Sequence, residues 1–83
     1  MDLVDINVLF FGPLKTHFGS QLQMMVPKGL ELRALIDMLK EKSPSASQIL
    51  TSCRVAVDSE LERGDFAINQ SYRIAILPPF SGG

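Results

Sequence analysis

The fold prediction depends most on one segment near the C-terminus, Tyr72-Arg73-Ile74-Ala75-Ile76-Leu77-Pro78-Pro79. Its β-branched and aromatic side chains are typical of a strand. The two prolines that follow have no backbone N–H groups, so they prevent further pairing in a sheet. The segment therefore predicts a last strand that ends at Leu77. It divides the chain into a folded domain, residues 1–77, and a flexible C-terminal tail, residues 78–83.

Three more strands are predicted upstream of this one. The first, Ile6–Phe11, is rich in β-branched and aromatic residues and stops at Gly12-Pro13. The second, Gln21–Val26, begins with polar and apolar residues in alternation, and we expect it to pair antiparallel with the first. The third, Arg54–Asp58, alternates with a period of two.

One main helix is predicted from about Glu31 to Lys42. Its apolar residues at i, i+3, i+4 and i+7 form a single stripe: Leu32, Leu35, Ile36 and Leu39. Ser43-Pro44 ends it, because proline disfavours a helical residue before it. Short helices are expected at Leu14–Phe18 and Ala46–Leu50, and a turn-rich connection at Leu61–Phe66. A further short strand is expected between Arg54–Asp58 and the last strand. This order of elements predicts an α+β fold, in which a mixed sheet carries one main helix on one face.

Composition excludes several classes of function. The 83 residues suffice for one domain, and 46% apolar with 20% charged residues are typical of a folded chain. The net charge is −1 without a run of Lys or Arg, so we expect no nucleic-acid partner. We also expect no membrane span, no secretion signal and a cytoplasmic location. Cys53 is the only cysteine and His17 the only histidine, so neither a disulfide nor a metal site is predicted.

The C-terminal tail carries the predicted chemistry. Its six residues are Pro78, Pro79, Phe80, Ser81, Gly82 and Gly83. Fully extended, they would reach about 20 Å beyond the sheet. The two glycines lack side chains and would pass through a narrow channel that any Cβ would block. The reactive group would be the Gly83 carboxylate. A carboxylate is a poor electrophile, so ATP would first convert it to an acyl-adenylate, and sulfur would then displace AMP to leave a thiocarboxylate.

The chain resembles the small subunits of molybdopterin synthase, which are ubiquitin-like sulfur carriers with a β-grasp fold. The resemblance covers nearly the whole chain and is closest at Ile74–Gly83, which matches the C-terminal signature of that family. Val8–Gly12 is similar to its opening strand. Arg54–Asp58 lies where the family has an Ala-Val-Asn strand, with Asp58 in place of the asparagine. The segment Asn69–Arg73 departs from an acidic turn that the family often has there.

This resemblance implies specific partners. An adenylating enzyme of the ubiquitin-activating type would use ATP to activate Gly83, and a cysteine desulfurase or rhodanese-type protein would donate the sulfur. The thiocarboxylate would then enter the large subunit of molybdopterin synthase and convert cyclic pyranopterin monophosphate into the dithiolene of molybdopterin. The catalytic side chains would belong to the large subunit, in a heterotetramer of two small and two large subunits. No tightly bound cofactor is expected on the carrier itself.

A carrier of this kind must dock on both enzymes, by the part of the sheet next to the tail. We expect Phe10, Ile76, Leu77 and Phe80 to form an exposed apolar patch there. A core position is an equal alternative for Phe10. Arg73 is a candidate contact for an acidic partner surface, although a solvated charge is the simpler interpretation.

Three other functions remain open at this stage. Sulfur transfer for thiamin synthesis or tRNA thiolation would use the same tail chemistry. A ubiquitin-like modifier would instead join Gly83 to lysines of other proteins. A binding module would use only the folded domain and leave the tail inert.

Overall fold

The computed structural model describes residues 2–79. Within this range the chain forms seven strands and three α-helices, with one 3₁₀ turn at Pro44–Ala46 before the third helix. The elements, in chain order, are β1 Leu3–Phe10, α1 Leu14–Phe18, β2 Gln21–Pro27, β3 Leu30–Glu31, α2 Leu32–Lys42, α3 Ser47–Thr51, β4 Arg54–Val57, β5 Glu60–Glu62, β6 Ala67–Ile68 and β7 Arg73–Leu77.

Five strands form the main sheet, in the order β2-β1-β7-β4-β5. The pairs β1–β2, β4–β7 and β4–β5 are antiparallel, and β1–β7 is parallel. A parallel pair needs a long connection. The chain between β1 and β7 provides it, and α2 lies within this connection. The two remaining strands, β3 and β6, form a separate antiparallel pair. The mixed sheet with one main helix confirms the predicted α+β class.

The hydrophobic core lies between the sheet and α2. Alternate residues of β1 and β7 point into it, because successive side chains of a strand face opposite sides. The fully buried members of this face are Ile6, Val8, Phe10, Ile74 and Ile76. The helix contributes the stripe expected from its sequence, with Leu32, Leu35 and Leu39 at 0–1% exposure.

The hairpin that joins β4 to β5 differs from the prediction. Glu60–Glu62 is a strand paired with β4, whereas part of this segment was expected to be a connection. Its three residues are all exposed, so no burial pattern marks them. Asp58 was predicted in a strand but lies in the turn with Ser59. Both have positive φ, 47° and 76°, as a two-residue hairpin turn requires, yet neither is the glycine that usually signals such a turn.

Candidate functional site at the end of the last strand

The central position of β7 determines where the C-terminal tail begins. The strand is paired on both sides, with β1 and with β4, and its two isoleucines are fully buried. It ends at Leu77, and the next two residues, Pro78 and Pro79, are half-buried and exposed respectively. The strand therefore anchors the start of the tail in the most firmly held part of the sheet. The other predicted tail residues, Phe80, Ser81, Gly82 and Gly83, lie outside the described residues.

Two of the predicted docking residues belong to the core. Phe10 is 1% exposed and Ile76 is 0% exposed, so the expectation that they form an exposed patch is wrong. Phe10 stacks on Phe18 of α1, with ring centroids 4.5 Å apart and planes 13° from parallel. Both residues occupy strand positions that face α2, and a partner could reach them only if the core opened.

The other two docking candidates lie on the opposite face of the sheet. Leu77 is half-buried and Arg73 is exposed. The strand register places Leu9, Ala75, Ala56 and Leu61 side by side on this open face, in a row across four strands. Phe11, directly after β1, is 41% exposed, and Leu61 is 56% exposed. These residues form an apolar surface at the end of the sheet from which the tail leaves. We call it the exit patch: Leu9, Phe11, Leu61, Ala75 and Leu77.

The sequence pattern contained only a weak signal for the exit patch. Val8-Leu9-Phe10-Phe11 is apolar at every position, so alternation cannot say which pair of side chains faces the core. The same ambiguity affects Ile74-Ala75-Ile76-Leu77. Nearness to the tail indicated Phe10 and Ile76 as contacts, but large apolar side chains are also those that fill a core. Leu9, Phe11 and Ala75, which were missed, are immediate neighbours of these two residues, and Leu61 lies on a separate strand.

Basic residues lie beside the exit patch. Arg54 is opposite Leu77 in the β4–β7 register, and Arg73 is two residues before Ala75 on the same face. The backbone of Arg73 is held by Asp58: its N–H donates to Asp58 Oδ1 at 2.9 Å, and its carbonyl accepts from the Asp58 N–H at 2.9 Å. The turn carboxylate thereby fixes the start of β7. A partner surface with acidic residues around an apolar centre would complement this arrangement.

The remaining reactive side chains have structural environments. Cys53 Sγ donates to the Ile49 carbonyl at 3.2 Å, and burial raises the pKa of this thiol, so it stays protonated and weakly nucleophilic. His17 Nδ1 lies 3.2 Å from Ser43 Oγ and 3.3 Å from Ser45 Oγ, which ties α1 to the loop after α2. Among residues 2–79, no group of three or more His, Cys, Asp or Glu side chains could hold a metal ion. No helix in that range is both long and apolar enough to span a membrane.

Comparison with known proteins assigns the family. The profile of the ThiS family matches residues 8–83. The chain belongs to the ThiS family. A protein of Caenorhabditis briggsae described as "Molybdopterin synthase sulfur carrier subunit" is 33% identical over 84 residues, which cover 98% of this chain and 100% of that protein. This relationship confirms the resemblance to the molybdopterin synthase sulfur carriers.

Two solved structures share the fold of this ThiS-family chain. A putative molybdopterin converting factor subunit 1 from Pyrococcus furiosus superposes with a TM-score of 0.80 at 17% identity, covering 93% of this chain and 99% of that one. A chain from the complex of subunits 1 and 2 of the molybdopterin-converting factor of Helicobacter pylori gives a TM-score of 0.67 at 26% identity, covering 96% of this chain and 100% of that one. These matches confirm the predicted β-grasp fold.

Proposed function

We propose that this protein is the sulfur carrier subunit of a molybdopterin synthase. The observation that carries the proposal is the position of β7, which runs through the middle of the sheet and releases the C-terminal tail beside the exit patch. Membership of the ThiS family supports it, and so does the likeness to a sulfur carrier subunit over the whole length of that relative. The family match continues to Gly83, which supports this residue as the site of loading.

In the proposed reaction, the chemistry takes place on the main chain. A carboxylate oxygen of Gly83 attacks the α-phosphate of ATP, and pyrophosphate leaves. Sulfur at the oxidation level of hydrosulfide then adds to the acyl carbon, and AMP leaves with the electrons of the broken C–O bond. The product is a thiocarboxylate, a good nucleophile at neutral pH, whose sulfur bonds to a carbon of cyclic pyranopterin monophosphate in place of an oxygen. Water then cleaves the resulting thioester and returns Gly83 to a carboxylate, so two loaded carriers supply the two sulfurs of the dithiolene. ATP serves here as a substrate of the activating enzyme and not as a bound cofactor of the carrier.

The exit patch provides the docking surface in this proposal. A partner that covers it would bury apolar area around Leu77 and Ala75 and would lie directly beside the start of the tail. The two prolines restrict φ at the first tail residues, which reduces the entropy lost when the tail enters a channel. Arg54 and Arg73 would orient the partner through its acidic residues, an effect expected mainly on the association rate.

The folded domain itself acts as a handle and not as a catalyst. Its one thiol is protonated and hydrogen-bonded, and its histidine is engaged with two serine hydroxyls. We therefore assign the catalytic side chains to the large subunit, as in the two-small, two-large heterotetramer that the resemblance implies. The relative from Helicobacter pylori is itself described as a complex of subunits 1 and 2. We further propose a cytoplasmic location, where ATP is available and the environment is reducing.

A reconstituted reaction tests this function. The chain is combined with a molybdopterin synthase large subunit, an adenylating enzyme, ATP, a sulfur donor and the cyclic precursor, and molybdopterin is measured by fluorescence of its oxidised derivative. We expect product with the full chain and none when Gly83 is deleted. A matched control, Lys28→Ala, changes an exposed residue that lies outside the tail and the exit patch and should keep full activity.

The same preparation distinguishes the alternatives. Product formation by the Gly83 deletion would contradict the tail mechanism. A thiocarboxylate that forms but does not yield molybdopterin with any large subunit would assign the chain to thiamin or tRNA sulfur transfer. Adducts on other proteins, joined through Gly83 and an ε-amino group, would assign it to the ubiquitin-like modifiers.

A further inference from the structure

A second surface feature adjoins the exit patch at the β5 edge of the main sheet, where Arg54 and Leu61 border both surfaces. It is an open groove of about 540 Å³ between α2, the end of α3 and the β4–β5 hairpin. Its size falls within the range of binding clefts. The floor is apolar: Leu32, Leu50 and Val55 are buried beneath it, and Ile36 and Cys53 are partly exposed along it. The proposed sulfur-carrier function uses the border residues Arg54 and Leu61 but not the floor of this groove.

The groove concentrates positive charge in a chain that is acidic as a whole. Four of the eight Lys and Arg residues line it, against two of the nine Asp and Glu residues. The cations are Arg33, Lys40, Arg54 and Arg63, and the anions are Asp37 and Glu62. These counts give the groove a formal charge of +2 and leave −3 for the rest of the chain.

Most of these cations are not neutralised within the protein. In the described part of the chain, the one ion pair within 4.0 Å joins Arg33 Nε to Glu31 Oε1 at 3.0 Å. Both side chains are well exposed, at 65% and 48%, so this pair is weak and can exchange with another carboxylate. Lys40, Arg54 and Arg63 are therefore available to an anionic partner.

Hydrogen bonds hold both ends of the groove in shape. At one end, the N–H groups of Leu32 and Arg33 donate to the carbonyls of Phe66 and Gly64, at 3.0 and 2.9 Å. At the other end, the Cys53 N–H donates to the Leu50 carbonyl at 3.2 Å. A groove fixed in this way loses little conformational entropy when a ligand binds.

The hairpin wall also offers a backbone edge. β5 is the last strand of the main sheet, so within residues 2–79 one side of it has no neighbouring strand. An extended peptide can pair with such an edge and place alternate side chains on the adjoining surface. The apolar floor and the basic rim would then meet different side chains of the same peptide.

We propose that this groove binds an extended acidic segment of a partner protein, with apolar residues between its carboxylates. The apolar residues lie on the floor formed by α2 and β4, and the carboxylates meet Lys40 and Arg63, with Arg54 at the border shared with the exit patch. Because Leu9, Phe11, Ala75 and Leu77 do not line the groove, a partner can hold the domain here while the tail and that part of the exit patch are engaged elsewhere.

Titration of the full chain with a synthetic peptide tests the proposal. The probe is a blocked hexapeptide of alternating aspartate and leucine. Its binding is measured by the changes in the amide NMR chemical shifts of the protein. We expect shifts at groove residues such as Ile36, Thr51 and Gly64, and weaker binding as salt is raised. A peptide with serine in place of leucine loses the apolar contacts with the floor, and a peptide with lysine in place of aspartate loses the attraction to the basic residues. Each should bind at least about fivefold more weakly than the original peptide.

Matched charge reversals locate the site. The double variant Lys40→Glu, Arg63→Glu should lower the affinity by about tenfold, because each change replaces a surface attraction by a repulsion. The control Lys15→Glu, Lys28→Glu makes the same change in net charge at exposed residues outside the groove and should alter it by less than about twofold. Circular dichroism confirms that both variants fold.

Any of four results would overturn the proposal. The first is the absence of binding at millimolar peptide with the folded chain. The second is a set of shifts centred on the exit patch, and the third is an equal effect of the two double variants. The fourth is a groove whose amide shifts depend on protein concentration without peptide, because the occupant would then be a second copy of this chain.

Discussion

The two faces of β7 should respond in opposite ways to mutation. Ile76 is fully buried and lies opposite Val55 of β4 and Phe10 of β1 in the strand register. Ile76→Ala removes three carbon groups, worth about 2.4 kcal/mol at about 0.8 kcal/mol each. The cavity adds to this, so we expect a loss of about 3–4 kcal/mol in the free energy of unfolding. For a domain of this size, that corresponds to a fall in Tm of about 15–25 °C.

Leu77→Ala is the matched substitution on the open face. Leu77 is half-buried, so we expect a loss of less than about 1.5 kcal/mol in stability. Binding to the large subunit should weaken about fivefold, because loss of about half of the Leu77 side chain's apolar burial against a partner is worth about 1 kcal/mol. Urea denaturation gives the stabilities, and calorimetry with a large subunit gives the affinities.

Ile76→Val keeps the binding comparison valid. This milder change should cost about 0.5–1.5 kcal/mol and leave the chain folded at the assay temperature. Its affinity for the large subunit should equal that of the unchanged chain within about twofold. If Ile76→Val weakened binding more than Leu77→Ala, or Ile76→Ala kept its full stability, the assignment of faces would be refuted.

Four further predictions concern Ser59, Gly29 and Cys53. Ser59→Gly should raise the free energy of unfolding by about 0.5–1 kcal/mol in urea melts, because Ser59 has a φ of 76°; an unchanged midpoint would argue against that turn geometry. Gly29→Ala should lower the free energy of unfolding by about 1 kcal/mol, because Gly29 has a φ of +93°, where a side chain strains the backbone. Among residues 2–79, no heavy atom outside Gly29 and its two chain neighbours lies within 4 Å of an added Cβ, so a steric clash would not contribute. Burial raises the pKa of Cys53 above the ordinary 9.0, so iodoacetamide should label the folded chain at pH 8 several-fold more slowly than the unfolded chain. The same shift contributes stability below pH 9 that is lost as pH rises through the folded pKa, and Cys53→Ala should remove that dependence in melts from pH 8 to 11.

Strong periodic signals made most of the fold predictable. The stripe of α2 and the β-branched runs of β1 and β7 each matched one template, and the structure has them within one to three residues of the predicted bounds. The short strands β3 and β6, of two residues each, have no length over which a period can be detected. The short strand expected before the last one could be given no bounds for a related reason, since the exposed Glu-Leu-Glu of β5 buries nothing.

The docking surface shows what the sequence could not decide. In an apolar run such as Val8–Phe11, alternate residues can pack into the core on one face of the sheet and contact a partner on the other face. Only the position of α2 determines which residues face the core and which face the partner. That position depends on packing across the whole domain, which a local pattern does not contain. The exit patch therefore emerged from the register of four strands, and size or hydrophobicity alone pointed to its buried neighbours.

The most direct test of the account is the intact mass of the chain after incubation with an adenylating enzyme, ATP and a sulfur donor. We expect a species in which one oxygen is replaced by sulfur, with fragment masses that place the change on Gly83. Omission of ATP should leave the mass unchanged. A chain that stays a plain carboxylate under conditions that load a known sulfur carrier, or sulfur found on Cys53 instead of Gly83, would contradict the central claim.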